Sequence, residues 1–364
     1  MTQKWIIKTL DEQQIEIKNT LAAALNISPI LAQLLVQRGI CTFEDARNFF
    51  RPDFANLHDP FLMADMDKAV NRLTDAIQDN EKILIYGDYD VDGTTSVSLV
   101  YKFIKKFYSN VDFYIPDRYN EGYGISIQGI DFAHKNAIKL VIALDCGIKA
   151  VEKIRYANEL GIDFIICDHH TPDVELPKAV AVLDPKRPDC PYPYKHLSGC
   201  GVGFKLLQAF SQKNNIAFSD LIPLLDLVAL SIASDIVPIT GENRILAFYG
   251  LKQINTNPSI GVKSILNVCG LADKEINISD IVFKVGPRIN ASGRMKLASE
   301  AVELMVSSDV NFAREKSGTI NEYNNDRKDL DKNITDEAIK LIASNAAFLN
   351  RKSIVVYKPD WHKG

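Results

Sequence analysis

KILIYGDYDVDG, residues 82–93, runs from the apolar core Ile83-Leu84-Ile85 directly into a short loop that carries aspartates at positions 88, 90 and 92. An apolar run of this length, bounded by a glycine and followed by a helical pattern, reads as a buried strand. Four more such runs follow: VDFYIP (111–116), KLVIALD (139–145), DFIICD (163–168) and AVAVLD (179–184). Amphipathic stretches such as TTSVSLVYKFIKKFY (94–108) and AVEKIRYANELG (150–161) lie between them. Continuous apolar strands alternating with helices predict an α/β fold, a parallel β-sheet flanked by helices on both faces.

Outside the sheet the pattern is helical. Residues 1–80 form a helical extension, with SPILAQLLVQRGICTFEDARNFF (28–50) and MDKAVNRLTDAI (66–77) showing apolar positions three and four apart. The unit that holds the sheet is expected over 81–305. Its later part, from about Gly199, is a helical half that contains the apolar helix LIPLLDLVALSIASDIVP (221–238). Residues 306–350 read as a long polar connecting helix, with too thin an apolar stripe for a core element. SIVVYK (353–358) reads as one more strand, and without a partner in the remaining sequence it suggests the start, over 351–364, of a truncated second domain.

Composition bounds the function. Of 364 residues 46% are hydrophobic, and 42 Lys+Arg against 46 Asp+Glu leave a net charge of −4. No global basic field marks a nucleic-acid partner, so any such contact must be local. Six cysteines without a C-x-x-C pair read as reduced thiols. There is no signal-peptide pattern and no run of about 18 apolar residues, so a cytoplasmic protein without a membrane segment is expected.

The acids and histidines gather where a parallel sheet binds its ligands, at the carboxyl ends of strands. Asp88, Asp90 and Asp92 follow the first run, Asp145 ends the third, and Asp168, His169 and His170 end the fourth. A P-loop is excluded, because GDYDVDGTTS has no lysine. Hard carboxylate oxygens with an imidazole suit divalent cations, Mn²⁺ or Mg²⁺. Asp235, at the end of the apolar helix, meets the negative pole of the helix dipole; it either starts the turn before Pro238 or faces a cation. Asp226 reads as a structural hydrogen-bonding group. Arg118 and Arg288 are candidates for phosphate, or else for ion pairs. The glycine-rich SGCGVGF (198–204) does not follow a strand, which favours close helix packing over a phosphate loop.

GDYDVDG, ALDCGI, CDHH and ASDIVP, in this order and spacing, resemble the DHH phosphoesterase superfamily. FRPDFANLHDPFLMADMDKAV, IPDRYNEGYG and VGPRINASGRM narrow the resemblance to its RecJ branch, with WHKG resembling the opening of the DHHA1 domain. The resemblance implies a single-stranded-DNA-specific 5′-to-3′ exonuclease releasing 5′-mononucleotides in recombination and repair, in a bacterial cytoplasm. It implies two divalent cations bridged by Asp145. Asp90 would bind one; Asp92, His169 and Asp235 would bind the other. Asp88 would complete the first site, where Tyr86 stands in place of the superfamily's histidine. Asp168 would orient His169, and His170 and Asp145 would act in catalysis. Arg118, Arg288, Asn290 and His362 would contact substrate. The implied partners are single-stranded DNA, a helicase and a single-strand-binding protein. Two other functions remain: a DHH phosphodiesterase for short oligonucleotides or cyclic dinucleotides, and a non-catalytic replication scaffold.

Overall fold

The computed structural model describes residues 4, 6, 8–345, 348 and 351–362. The five apolar runs form one parallel sheet: β1 (Ile83–Gly87), β2 (Val111–Tyr114), β3 (Leu140–Leu144), β4 (Asp163–Cys167) and β5 (Ala181–Leu183), in the order β2-β1-β3-β4-β5. The order reverses between β1 and β3, which leaves a crevice above their carboxyl ends.

Four helices precede β1: α1 (Glu12–Leu25), α2 (Pro29–Val36), α3 (Phe43–Phe50) and α4 (Met66–Gln78). Local chemistry starts three of them. Asp11 and Thr42 form capping boxes, and Ser28 caps α2 with Pro29 in its first turn. Helices α1 to α3 enclose a small core of Leu21, Leu35, Val36 and Ala46. Helix α4, grouped with this extension by its sequence pattern, instead buries Met66, Val70 and Leu73 in the main core.

The sheet alternates with α5 (Val91–Lys105), α6 (Ile127–Lys135) and α7 (Val151–Glu159). Side chains alternate across β1: Ile83 and Ile85 join the core with α4 and α5, whereas Leu84 and Tyr86 face the second core, which α6 and α7 cover. Each such fully buried aliphatic side chain contributes about 1.5–3 kcal/mol.

The helical half comprises α8 (Gly199–Lys213), α9 (Leu225–Ser234), α10 (Gly241–Thr256), α11 (Ile260–Val268), the single turn α12 (Ile278–Asp280), α13 (Gly286–Met295) and α14 (Ser299–Val306). A π turn over Ile281–Val285 joins α12 to α13. Pro287 has no N–H to give to the regular ladder there.

Helix α15 (Val310–Ala343) is not only a connector. Its first half buries Ala313, Ser317, Ile320 and Asn324, and the helix packs on α11, α13 and α14. The expected strand SIVVYK is corrected: no strand forms over 353–358, where Val355 and Tyr357 are exposed. A strand needs a ladder partner, and the described residues supply none. The tail returns to α15 through Lys358 and Trp361, whose side chains lie 2.6 and 3.1 Å from Glu337. Lys363 and Gly364, the end of WHKG, lie outside the described residues.

Candidate metal centre

The loop after β1 is short and closely held. Asp90 caps α5, its Oδ1 accepting from Gly93 N, and Asp92 follows in the first turn of the helix. Gly93 is needed there: a Cβ would stand 2.4 Å from the carbonyl oxygen of Asp88. Asn290 on α13 accepts from Val91 N at 3.0 Å, and Gly293 packs on the carbonyl of Tyr89. Asn290, expected at the substrate, thus clamps the aspartate loop.

Asp92 is the most firmly held acid. It accepts from Gly199 N (2.7 Å), Cys200 N (2.8 Å) and the Ser231 hydroxyl (2.7 Å). The glycine-rich segment SGCGVGF therefore opens α8 as an anion site, but the anion is the protein's own carboxylate. Gly199 also admits Asp145, whose carboxylate a Cβ would meet at 2.6–2.8 Å. Ser231 and Gly199 hold Asp92 in place, a role that the sequence reading missed. Ser231 precedes Asp235 by one helical turn, and that spacing was the available signal.

Asp145 and Ile236 both have φ of +58°, a left-handed backbone outside glycine. For a β-branched residue such as Ile236 this is an outlier, and such strain collects at functional sites. The two positions flank the site, one at the end of β3 and one just after Asp235.

Donor atoms converge in three overlapping groups, each within 4.8 Å: Asp88, Asp90 and Asp145; Asp92, His169 and Asp235; and Asp145, His169 and His170. His169 Nε2 lies 3.2 Å from Asp145 Oδ1 and 3.6 Å from oxygens of Asp92 and Asp235. Both oxygens of Asp88, Oδ1 of Asp145 and both ring nitrogens of His169 are buried without a hydrogen-bond partner. Among the described residues no lysine or arginine pairs with these acids. Burial, then repulsion from Asp90, pushes Asp88 up to about 7; burial, then repulsion from Asp92 and Asp90, does the same to Asp235. Asp145 is raised well above the carboxylate range by burial and by four neighbouring carboxylates, and burial holds His169 neutral. Orphaned carboxylates beside a neutral imidazole are a donor set that fits Mn²⁺ or Mg²⁺.

Tyr86 is not a donor to this group. Its hydroxyl gives to Gly124 O (3.0 Å) and accepts from Ser126 N (3.1 Å) on the far face of β1. Asp88 stands in the donor group instead.

Asp168 departs from expectation. Its Oδ1 accepts from the ring Nδ1 of His170 at 2.8 Å, while His169 gives it only a backbone N–H. Ile148 N fills Oδ2. Burial opposes ionisation of Asp168, but these bonds outweigh it and hold the carboxyl below its usual range, while Asp168 in turn raises His170. The imidazole that Asp168 orients is therefore that of His170, whose ring stands edge-on to that of His169 at 4.7 Å between centres. Asp226, read as structural, accepts from Leu227 N and Ser259 N.

Beside the loop stands a group of arginines. Arg118 lies 5.2 Å from the ring centre of Tyr89. Burial, then the charges of Arg118 and Arg327, depresses Arg294. None of the three is ion-paired among the described residues. Arg288 instead ties α13 to α15 through Asn321, and also donates to the carbonyl of Lys284 in the π turn one turn earlier. Arg294 lies six residues further in the same motif, and only the helix packing distinguishes the two. Tyr119 donates to the carbonyl of Arg294 at 2.7 Å and stands 3.2 Å from His362 Nε2.

Residues 82–232 match the family model described as DHH family, N-terminal domain. Over those residues the chain is similar to the DHH family. It is 39% identical over 363 residues to the single-stranded-DNA-specific exonuclease RecJ of Bacillus subtilis, covering 99% of this chain and 44% of that protein. It is 31% identical to RecJ of Escherichia coli, covering 96% of this chain and 62% of the relative. The chain thus spans about half the length of these relatives. Its DHH fold is similar to that of RecJ from Thermus thermophilus in complex with Mn²⁺, with a TM-score of 0.81 and 26% identity over 96% of this chain and 49% of the other. It is also similar to an exonuclease RecJ bound to manganese, with a TM-score of 0.74 and 28% identity over 85% of this chain and 76% of the other. Among the described residues no helix is long and apolar enough to cross a membrane.

Proposed function

We propose that this chain is the catalytic part of a metal-dependent exonuclease that degrades single-stranded DNA from its 5′ end and releases 5′-mononucleotides. The observation that carries the reading is the gathering of five carboxylates without a lysine or arginine partner and a neutral imidazole at the carboxyl ends of β1 and β3 and around His169, next to arginines without acidic partners among the described residues. The similarity to RecJ relatives supports it. Asp88, Asp90 and Asp145 would hold one cation; Asp92, His169 and Asp235 would hold the second, with Asp145 between them. When bound, the pair lowers the pKa of the attacking water and offsets charge on the entering and leaving oxygens of an in-line displacement.

The chain's own groups do the rest. Asp168 fixes the His170 ring through Nδ1 and favours its protonated form, so Nε2–H can donate to the scissile phosphate or to the leaving 3′ oxygen. Arg118 and Arg294, with Arg327 behind them, supply a local positive patch for the strand's phosphates, compatible with a negative net charge. Such an enzyme would need a helicase and a single-strand-binding protein to present the strand during recombination or repair.

The test is single-stranded DNA labelled at the 5′ or the 3′ end, incubated with Mn²⁺ and the chain or its Asp145→Ala variant. Mononucleotide released at once from the 5′ label, progressive shortening of the 3′-labelled strand and an inert variant are expected. Cleavage confined to very short oligonucleotides or cyclic dinucleotides would replace the substrate assignment. Undiminished cleavage by Asp145→Ala would overturn the metal site.

A further inference from the structure

A cavity of about 800 Å³ opens between α3, in the segment before the sheet, and α10 of the helical half, and none of the metal-donor residues lines it. Its volume falls within the range of about 300–1,000 Å³ of pockets that hold small organic ligands. Ile239, Ile245, Phe248 and Leu251 give it apolar walls. Phe248 is 42% exposed, which leaves an aromatic ring free for a planar group.

Most polar groups of the lining are spent on the protein itself. Glu242 pairs with Lys205 and accepts from His58 N and the Tyr192 hydroxyl, and the His58 ring stands edge-on to Tyr192. Asn48 accepts from Asn56 at 3.2 Å, Asp45 accepts from Thr42 N in the capping box of α3, and the Thr240 hydroxyl meets that of Tyr194. Two guanidiniums remain. Arg244 lies 4.3 Å from the ring centre of Phe49 and gives its Nε–H to the Phe49 carbonyl, while Arg38 donates to the carbonyl of Leu34 in the preceding turn. Among the described residues neither has a carboxylate partner, and burial depresses Arg244 with no acid to offset it. Even with Asp45 counted against them, the lining keeps an excess of positive charge.

Two uncompensated guanidiniums on one cavity call for an anion of more than single charge. A phosphate monoester carries about −1.5 to −2 at pH 7, and its oxygens match the guanidinium fork. A planar base suits apolar walls beside an exposed aromatic ring. We propose that this cavity binds a nucleoside 5′-monophosphate, with the phosphate toward Arg38 and Arg244 and the base against Phe248, at a site separate from the carboxylate centre. The occupant touches α3 and α10 together, so its binding also stabilises the folded chain.

Equilibrium titration of dAMP with and without Mn²⁺ tests this, beside 2-deoxyribose 5-phosphate and deoxyadenosine. Binding of dAMP is expected without Mn²⁺, about tenfold or more tighter than either fragment, with a rise in Tm. Arg244→Gln should weaken dAMP binding by about tenfold and leave cleavage of single-stranded DNA unchanged. Because Arg244 also rests on Phe49, two variants at exposed side chains keep the test independent of folding. Arg38→Gln should weaken both phosphate compounds, and Phe248→Ala should bring dAMP to the level of the sugar phosphate. Binding of dAMP only in the presence of Mn²⁺ would place it at the carboxylate site and overturn the inference, leaving the nuclease reading intact. Undiminished dAMP binding by all three folded variants would overturn it as well. So would a 5′-hydroxyl oligothymidylate that displaces dAMP as strongly as free dTMP does, because the cavity would then belong to the DNA strand.

Discussion

Adjacent histidines at one strand end receive different chemistry from one carboxylate. Asp168 bonds the ring of His170 and only the backbone of His169, so His169 keeps both ring nitrogens for other use. His170→Ala should therefore retain Mn²⁺ affinity, read by calorimetry, and lose about 10²–10⁴-fold in kcat, the usual range for a proton-transfer group. A parallel loss of Mn²⁺ binding would place His170 among the ligands instead. A second residue-scale effect concerns Asp184, buried after β5, which burial pushes up to about 7. Its carboxyl takes up protons in the folded state that the unfolded chain has lost above about pH 4. Its contribution is thus fully present below that pH and disappears as pH rises through 7. Asp184→Asn, which can still accept from Lys186 N, should flatten this slope and raise Tm at pH 8 relative to the unaltered chain. Identical pH profiles of Tm would contradict the assignment.

At the scale of elements, the amino end of α8 and the interior of α9 together set the geometry of Asp92. Two backbone N–H groups and the Ser231 hydroxyl fix both carboxylate oxygens, leaving little rotational freedom. Ser231→Ala should lower Mn²⁺ affinity by about 10–100-fold, as loss of a group orienting a metal ligand does, with little change in the folded spectrum. Gly199→Ala is a harsher change. Its Cβ would overlap the Asp145 carboxylate, and a Tm loss equivalent to about 1–3 kcal/mol is expected with weakened Mn²⁺ binding. Unaltered stability and metal affinity in that variant would mean that the helix and β3 have room to separate.

Across the whole molecule, the segment before the sheet is fastened by buried charge. Lys205 on α8 is fully buried and bonds Glu242 at 2.6 Å, the carbonyl of His58 and Gln208. Glu242 also accepts from His58 N and the Tyr192 hydroxyl. Removing one partner leaves the other buried and unpaired, so Lys205→Met should cost about 3–5 kcal/mol in denaturant unfolding. Adding Glu242→Leu should recover part of that loss. A single-variant cost below about 1 kcal/mol would show that water reaches the pair.

The five strands, the helices between them and the acids at strand ends were legible in the sequence, because each depends on local patterning of apolar residues and on where a parallel sheet ends. So was the choice of hard divalent cations, which follows from the donor types. Partner choice was not legible. Ser231 and Gly199 reach Asp92 across 139 and 107 residues, and the one-turn spacing of Ser231 before Asp235 does not say which acid it bonds. Likewise, only packing assigned Arg288 to α15, Arg294 to the aspartate loop, α4 to the main core and 353–358 to an unpaired segment. Periodicity alone determines which residues are buried and where side chains of like chemistry emerge. Which hydrogen bonds, charges and cavities those side chains then share was decided by the tertiary structure, because burial leaves each polar atom to find a partner in space rather than along the chain.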